Sequence, residues 1–156
     1  MKRILWLIAC VAAVWGLPRL SHPAVDVGKL DPVETVLLTV TETGVKVETD
    51  TGARGSGQTL DAAWKELQHR AEKEIFPDTT SNLLISGDPA ACWEQIYGMF
   101  RPSCRVCRAE GVLDLERVTQ YLSVHRPELT LKSLRAGENN WQVLTKKEGG
   151  YLIEPE

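Results

Sequence analysis

Residues 33–49 read VETVLLTVTETGVKVET, and residues 50–71 continue as DTGARGSGQTLDAAWKELQHRA. In the first stretch Val36, Leu38 and Val40 share one face of an extended chain. Thr43-Gly44 then turns it, and Val45 and Val47 alternate with Lys46 and Glu48. Period-two alternation on both sides of a glycine turn predicts an antiparallel β-hairpin. In the second stretch the period changes. Leu60, Ala63, Trp64, Leu67 and Ala71 recur at helical spacing, with Thr59 placed to cap the helix. Between them Gly52, Gly55 and Gly57 read as a flexible loop. A hairpin followed directly by an amphipathic helix sets the fold class as α+β.

Outward from this unit the pattern continues in short elements. Asn82 to Ser86 is a brief apolar strand, and Asp88-Pro89 marks a helix start whose helix buries Cys92, Trp93, Ile96 and Tyr97. Ser103 to Ala109 reads as another strand. Asp114 caps a helix with Leu115, Val118, Tyr121 and Leu122 inward, closed by Pro127. Trp141 to Leu144 and Tyr151 to Ile153, around Glu148-Gly149-Gly150, predict a second hairpin. Trp64, Trp93, Tyr97 and Tyr121 keep the spacing of the apolar faces, which assigns them to the core. A chain of 156 residues supplies one domain with a proper core, and 43% hydrophobic residues exclude wholesale disorder. The expectation is a single small α+β domain over residues 32–156, a mixed sheet packed with helices between an N-terminal and a C-terminal hairpin.

Ahead of that domain lies a leader. Met1-Lys2-Arg3 precedes Ile4 to Leu17, fourteen residues without a charge. A basic start and an apolar run of this length fit a signal peptide or a short membrane anchor, predicted to be helical. Trp6 and Trp15 would sit near the interfaces of a retained anchor. Val14 and Gly16 offer small residues for cleavage, and Leu7-Ile8-Ala9-Cys10 has the form of a lipobox, which makes Cys10 the candidate for lipidation. Retention, cleavage and lipidation all place the remainder outside the cytoplasm. Residues 1–17 are thus the expected membrane contact, and residues 18–31, rich in Pro, His, Ser and Gly without periodicity, the linker.

Charge and motifs narrow the chemistry. The chain carries −3 overall, and without Lys2 and Arg3 the balance is 16 basic against 21 acidic residues. That sign offers no broad field for nucleic acid, and no nucleic-acid partner is expected. Gly52 to Thr59 nearly spells a phosphate-binding loop, yet Gln58 stands where the phosphate-contacting lysine belongs and the preceding strand reads as a hairpin arm. No nucleotide is expected. Asp50-Thr51-Gly52-Ala53 matches the core of an aspartic protease site, which needs a second aspartate sharing a proton; a turn is the simpler reading. Cys104 and Cys107 form a C-x-x-C pair, but in a strand they face opposite sides, whereas redox pairs sit at a helix start. Cys92 and His125 are the only plausible additions for a zinc site, at irregular spacing; Cys92 could also pair with either cysteine in an oxidising compartment. His22, His69 and His125 lie in separate segments, and no catalytic triad is read from them.

Four stretches together carry a family resemblance. Gly57-Gln58-Thr59-Leu60-Asp61-Ala62-Ala63, Ile75-Phe76, Leu83-Leu84-Ile85-Ser86-Gly87-Asp88, and Phe100-Arg101-Pro102-Ser103-Cys104-Arg105-Val106 resemble the N-terminal domain of the Ger(x)C family, the lipoprotein C subunits of spore germinant receptors. The chain is also similar to small membrane-anchored proteins of spore-forming Firmicutes through Pro32-Val33-Glu34, Asp50-Thr51-Gly52 and Gly57-Gln58-Thr59-Leu60. The resemblance spans roughly residues 33–111 and implies a truncated, single-domain relative with no catalytic residues or cofactor to carry over. It further implies a non-catalytic, extracytoplasmic partner of a membrane protein complex, linked to sporulation or spore germination in a Gram-positive bacterium. The alternative from another class is a secreted thiol-redox or metal-binding protein using Cys104 and Cys107.

Overall fold

A computed structural model describes residues 30–156. The leader, most of the linker and Cys10 lie outside the described residues.

In chain order the elements are strands β1 (Leu30–Asp31), β2 (Thr35–Thr41), β3 (Gly44–Thr49) and β4 (Arg54–Gly57), helix α1 (Leu60–Arg70), β5 (Glu74–Ile75), β6 (Asn82–Ser86), helix α2 (Trp93–Met99), β7 (Arg105–Glu110), helices α3 (Leu115–Val124) and α4 (Leu131–Arg135), and the hairpin β8 (Gln142–Lys147) and β9 (Gly150–Pro155). Seven strands join in the order β4-β3-β2-β6-β7-β8-β9, and β1 pairs with β5 in a two-stranded parallel ribbon. The sheet is mixed. β2, β6, β7 and β8 run parallel in the centre, and the two hairpins add antiparallel strands at the edges. This is the α+β domain that the alternating periods predict.

The central strands explain the two cores. β6 is buried on both faces, as befits a parallel strand flanked by parallel neighbours. On one face Leu83 and Ile85 pack with Val36, Leu38, Val45, Val47 and Val106 beneath Leu60, Ala63, Trp64 and Leu67 of α1, Ile96 of α2 and Leu131 of α4. On the other, Leu84, Cys107, Ala109 and Leu144 receive Leu115, Val118 and Leu122 of α3. Helix starts are capped as read from the sequence: Thr59 accepts from the Ala62 amide at 3.2 Å, and Asp114 from the Arg117 amide at 3.3 Å.

Three expectations need correction. The glycine-rich stretch is no flexible loop: Arg54–Gly57 is an edge strand paired with β3, and α1 lies directly on it. A Cβ on Gly55 would stand 2.1 Å from the Ala63 carbonyl oxygen, and one on Gly57 2.6 Å from the Ala63 nitrogen. The glycines are there for close approach of a helix backbone, not for mobility. Asp88-Pro89 does not open the helix directly; a 3-10 turn over Ala90–Cys92 precedes α2. Trp93, Tyr97 and Tyr121 are half-buried, not core residues, while Trp64 is buried as expected. The short α4, held by a reciprocal Thr130–Ser133 capping box, and the β1–β5 ribbon had no periodic signal long enough to read.

Candidate functional site

The half-buried aromatics form a strip on the α1/α2 face of the sheet. Trp93 and Tyr97, one helical turn apart on α2, stack with centroids 5.6 Å apart and planes inclined by 21°. Trp141, immediately before β8, meets Trp93 at 6.2 Å and 40°. Each end of the strip carries a guanidinium. Arg108 lies over Trp141 and Arg135 of α4 over Tyr97, each 5.3 Å from the ring centroid. The strand period accounts for Arg108: with Val106 inward on this face, Arg108 two residues on emerges on the same side at the sheet's margin. Its Nε also stands 3.0 Å from Glu156 Oε2.

Two hollows flank the rings. One, of about 440 Å³, is mainly apolar and lined by Tyr97, Phe100, Pro102, Leu131 and Arg135. The other, of about 590 Å³, is lined by Arg108, Glu128, Asn139, Asn140, Trp141 and Gln142. Burial raises the Tyr97 phenol above its usual range, against the nearby Arg135 charge and with that of Glu94. The surface therefore offers stacking area, a cation at either end and amide hydrogen-bonding groups. Half-exposed aromatic rings and arginine side chains in such proximity are the composition of contact hot spots.

The residues singled out from sequence lie elsewhere. Cys104 packs in the core beneath α1 and Cys107 in the core beneath α3, on opposite sides of the chain. Both are free and fully buried, and burial pushes each thiol up to about 12. Cys92 is free and buried as well. Among the described residues no three His, Cys, Asp or Glu side chains converge for a metal ion. Asp50 sits in the β3–β4 turn, where its Oδ2 accepts from the Glu34 and Thr35 amides at 3.1 and 3.2 Å and from Thr119 of α3 at 3.4 Å. It ties strand ends together. His125 follows the end of α3 and stacks on Tyr121 at 4.4 Å, and His69 is exposed on α1.

Sequence reasoning missed the strip because its parts come from α2, β7, α4 and the approach to β8. Only the Trp93–Tyr97 spacing is local. Compared with family models, curated proteins and solved structures, the chain matches none.

Proposed function

We propose that this domain is a non-catalytic interaction module, tethered at the outer face of a membrane by residues 1–17, which docks a protein partner on the Trp93–Tyr97–Trp141 strip. One observation carries the reading: three aromatic rings in series are held half-exposed with an arginine over each terminal ring. A partner presenting an apolar segment with carboxylates at its ends satisfies both features, because buried rings supply area and the guanidiniums give bidentate pairing. The family resemblance supports placing that partner in a membrane complex of sporulation or germination.

The test is site-specific photo-crosslinking in the native producer across sporulation. A photoreactive residue at Tyr97 or Trp141 is expected to give a discrete adduct in the membrane fraction. The same residue at Lys65, exposed on α1, is expected to give none. Equal labelling from both positions, or no adduct from the strip, overturns the proposal.

A further inference from the structure

The two edges of the sheet are treated differently. At β4 the outward amide of Ser56 is taken by Glu66 of α1, whose Oε2 accepts from the Ser56 nitrogen at 2.5 Å and its hydroxyl at 2.9 Å. Those bonds hold the Glu66 carboxyl below its usual range. That edge is closed by a side chain. At β9 no described residue does the same.

The register of the second hairpin fixes what β9 presents. Lys147 pairs with Gly150 across a two-residue turn, and Gln142 with Pro155 at the open end. The Glu156 amide bonds to the Trp141 carbonyl at 3.0 Å, which sets the alternation of the ladder. Gly150, Leu152 and Glu154 therefore direct their backbone groups at β8, and Tyr151, Ile153 and Pro155 direct theirs outward. Proline has no N–H, so the outward donors are those of Tyr151 and Ile153 alone. Leu152 is 37% exposed, one of three large apolar side chains at the surface among the described residues.

We propose that β9 pairs antiparallel with β9 of a second copy of this chain, about a two-fold axis at Leu152. In that register Tyr151 of each copy faces Ile153 of the other and exchanges both hydrogen bonds, which uses every outward N–H and C=O of the two residues. The same pairing sets an aromatic side chain against a β-branched one twice over, a favourable cross-strand combination. Leu152 meets its own copy as the close, non-hydrogen-bonded pair. Charge agrees with this register. Glu154 falls opposite Gly150 of the second copy, which has no side chain to obstruct it, and Lys147 is the neighbour of that glycine on β8. Within one chain Lys147 Nζ already lies 4.0 Å from Glu154 Oε2, so the dimer doubles an attraction the hairpin makes alone. Shifting by two residues would place Leu152 against Glu154 and leave the Tyr151 carbonyls unpaired. The self-complementary sequence Gly150 to Glu154 thus selects a second copy over an unrelated strand.

The test uses the full chain in detergent micelles and in membranes. Leu152→Cys is expected to yield a disulfide-linked dimer on mild oxidation, and Thr145→Cys, one strand inward, is expected to yield none. Sedimentation of the unmodified chain is expected to show dimer with rising concentration, and Leu152→Lys, which sets two ammonium groups on the axis, to remain monomeric with its melting temperature retained. A wild-type chain that stays monomeric overturns the proposal, and so does a dimer that survives Leu152→Lys. The dimer test does not involve the Trp93–Tyr97–Trp141 strip, so its failure leaves the partner-docking reading in place, and the converse holds.

Discussion

The carbonyl oxygen of Ala63 lies 2.1 Å from where a β-carbon on Gly55 would stand. Helix α1 is therefore seated on the backbone of an edge strand, with no flexible side chain between them to give way. Gly55→Ala is expected to cost about 3 kcal/mol or more, because the clash is with backbone and the helix must move as a unit. Gly98, exposed inside α2 with open space at its Cβ position, provides the contrast. Gly98→Ala is expected to stabilise by about 0.5–1 kcal/mol through helix propensity. Urea titration of the two variants checks both signs.

Asp50 yields a pH dependence of unusual sign. Burial raises its carboxyl above the usual value of 3.8, against the opposing effect of the Glu34 and Thr35 amides. A folded-state pKa above the unfolded one means that the native state binds the proton more tightly. The group's contribution is fully present below the unfolded pKa and is lost as pH rises through the folded pKa. Asp50→Asn removes this titration while keeping a carbonyl oxygen for the two amides. The stability of wild type relative to Asp50→Asn is expected to increase as pH falls from 7 towards 4. Asp50→Ala, which strands both amides, is expected to cost about 1–2 kcal/mol at pH 7 and more as pH falls, because it removes the same titration. Denaturant unfolding of the three proteins across the pH series gives the comparison.

The cysteines provide a kinetic prediction. With the Cys104 and Cys107 thiols both pushed up to about 12, the thiolate fraction at pH 8 is smaller than that of a free cysteine by about a thousandfold. Alkylation of the native protein by iodoacetamide is expected to be slowed by at least that factor at both positions. In denaturant all three domain cysteines should react at the rate of an unfolded peptide. Mass mapping of a native time course that showed fast, paired modification of Cys104 and Cys107 would favour the thiol-based alternative.

How much of this was legible in the sequence depends on the range of the signal. Period-two alternation in Val45 to Thr49 and helical spacing from Leu60 to Leu67 are local, and both gave elements within a residue or two of their bounds. The opposite facing of Cys104 and Cys107 also followed from strand geometry alone. Gly55 and Gly57 misled because glycine marks both flexible loops and backbone–backbone approach, and only the packed helix tells them apart. Spacing predicts Trp93 and Tyr97 to face inward, but within α2 only Ile96 is fully buried, and the two rings pack against the core half-covered. Arg108, Arg135 and Trp141 come from three elements joined by the parallel order of β7 and β8, and no spacing in the chain encodes that proximity.

Arg108 has two neighbours, and they predict different behaviour. Its Nε lies 3.0 Å from Glu156 Oε2, yet without the angle of a hydrogen bond, and the two side chains are 41% and 44% exposed. Although the Nε itself is buried, both side chains are more than a third exposed, and an ion pair between such side chains contributes about 0–0.5 kcal/mol and fades with salt. The contact of its guanidinium with the Trp141 ring is expected to be the larger, about 0.5–1 kcal/mol, and less sensitive to salt. Arg108→Lys keeps the charge and loses the planar stack, so it should behave as Arg108→Ala does. Double-mutant cycles in low and high salt separate the two. Coupling between Arg108 and Trp141 that survives high salt, with coupling between Arg108 and Glu156 that vanishes, is the expected result. The reverse pattern would make Arg108 a partner of the C-terminal strand and remove one of the two cations from the aromatic strip.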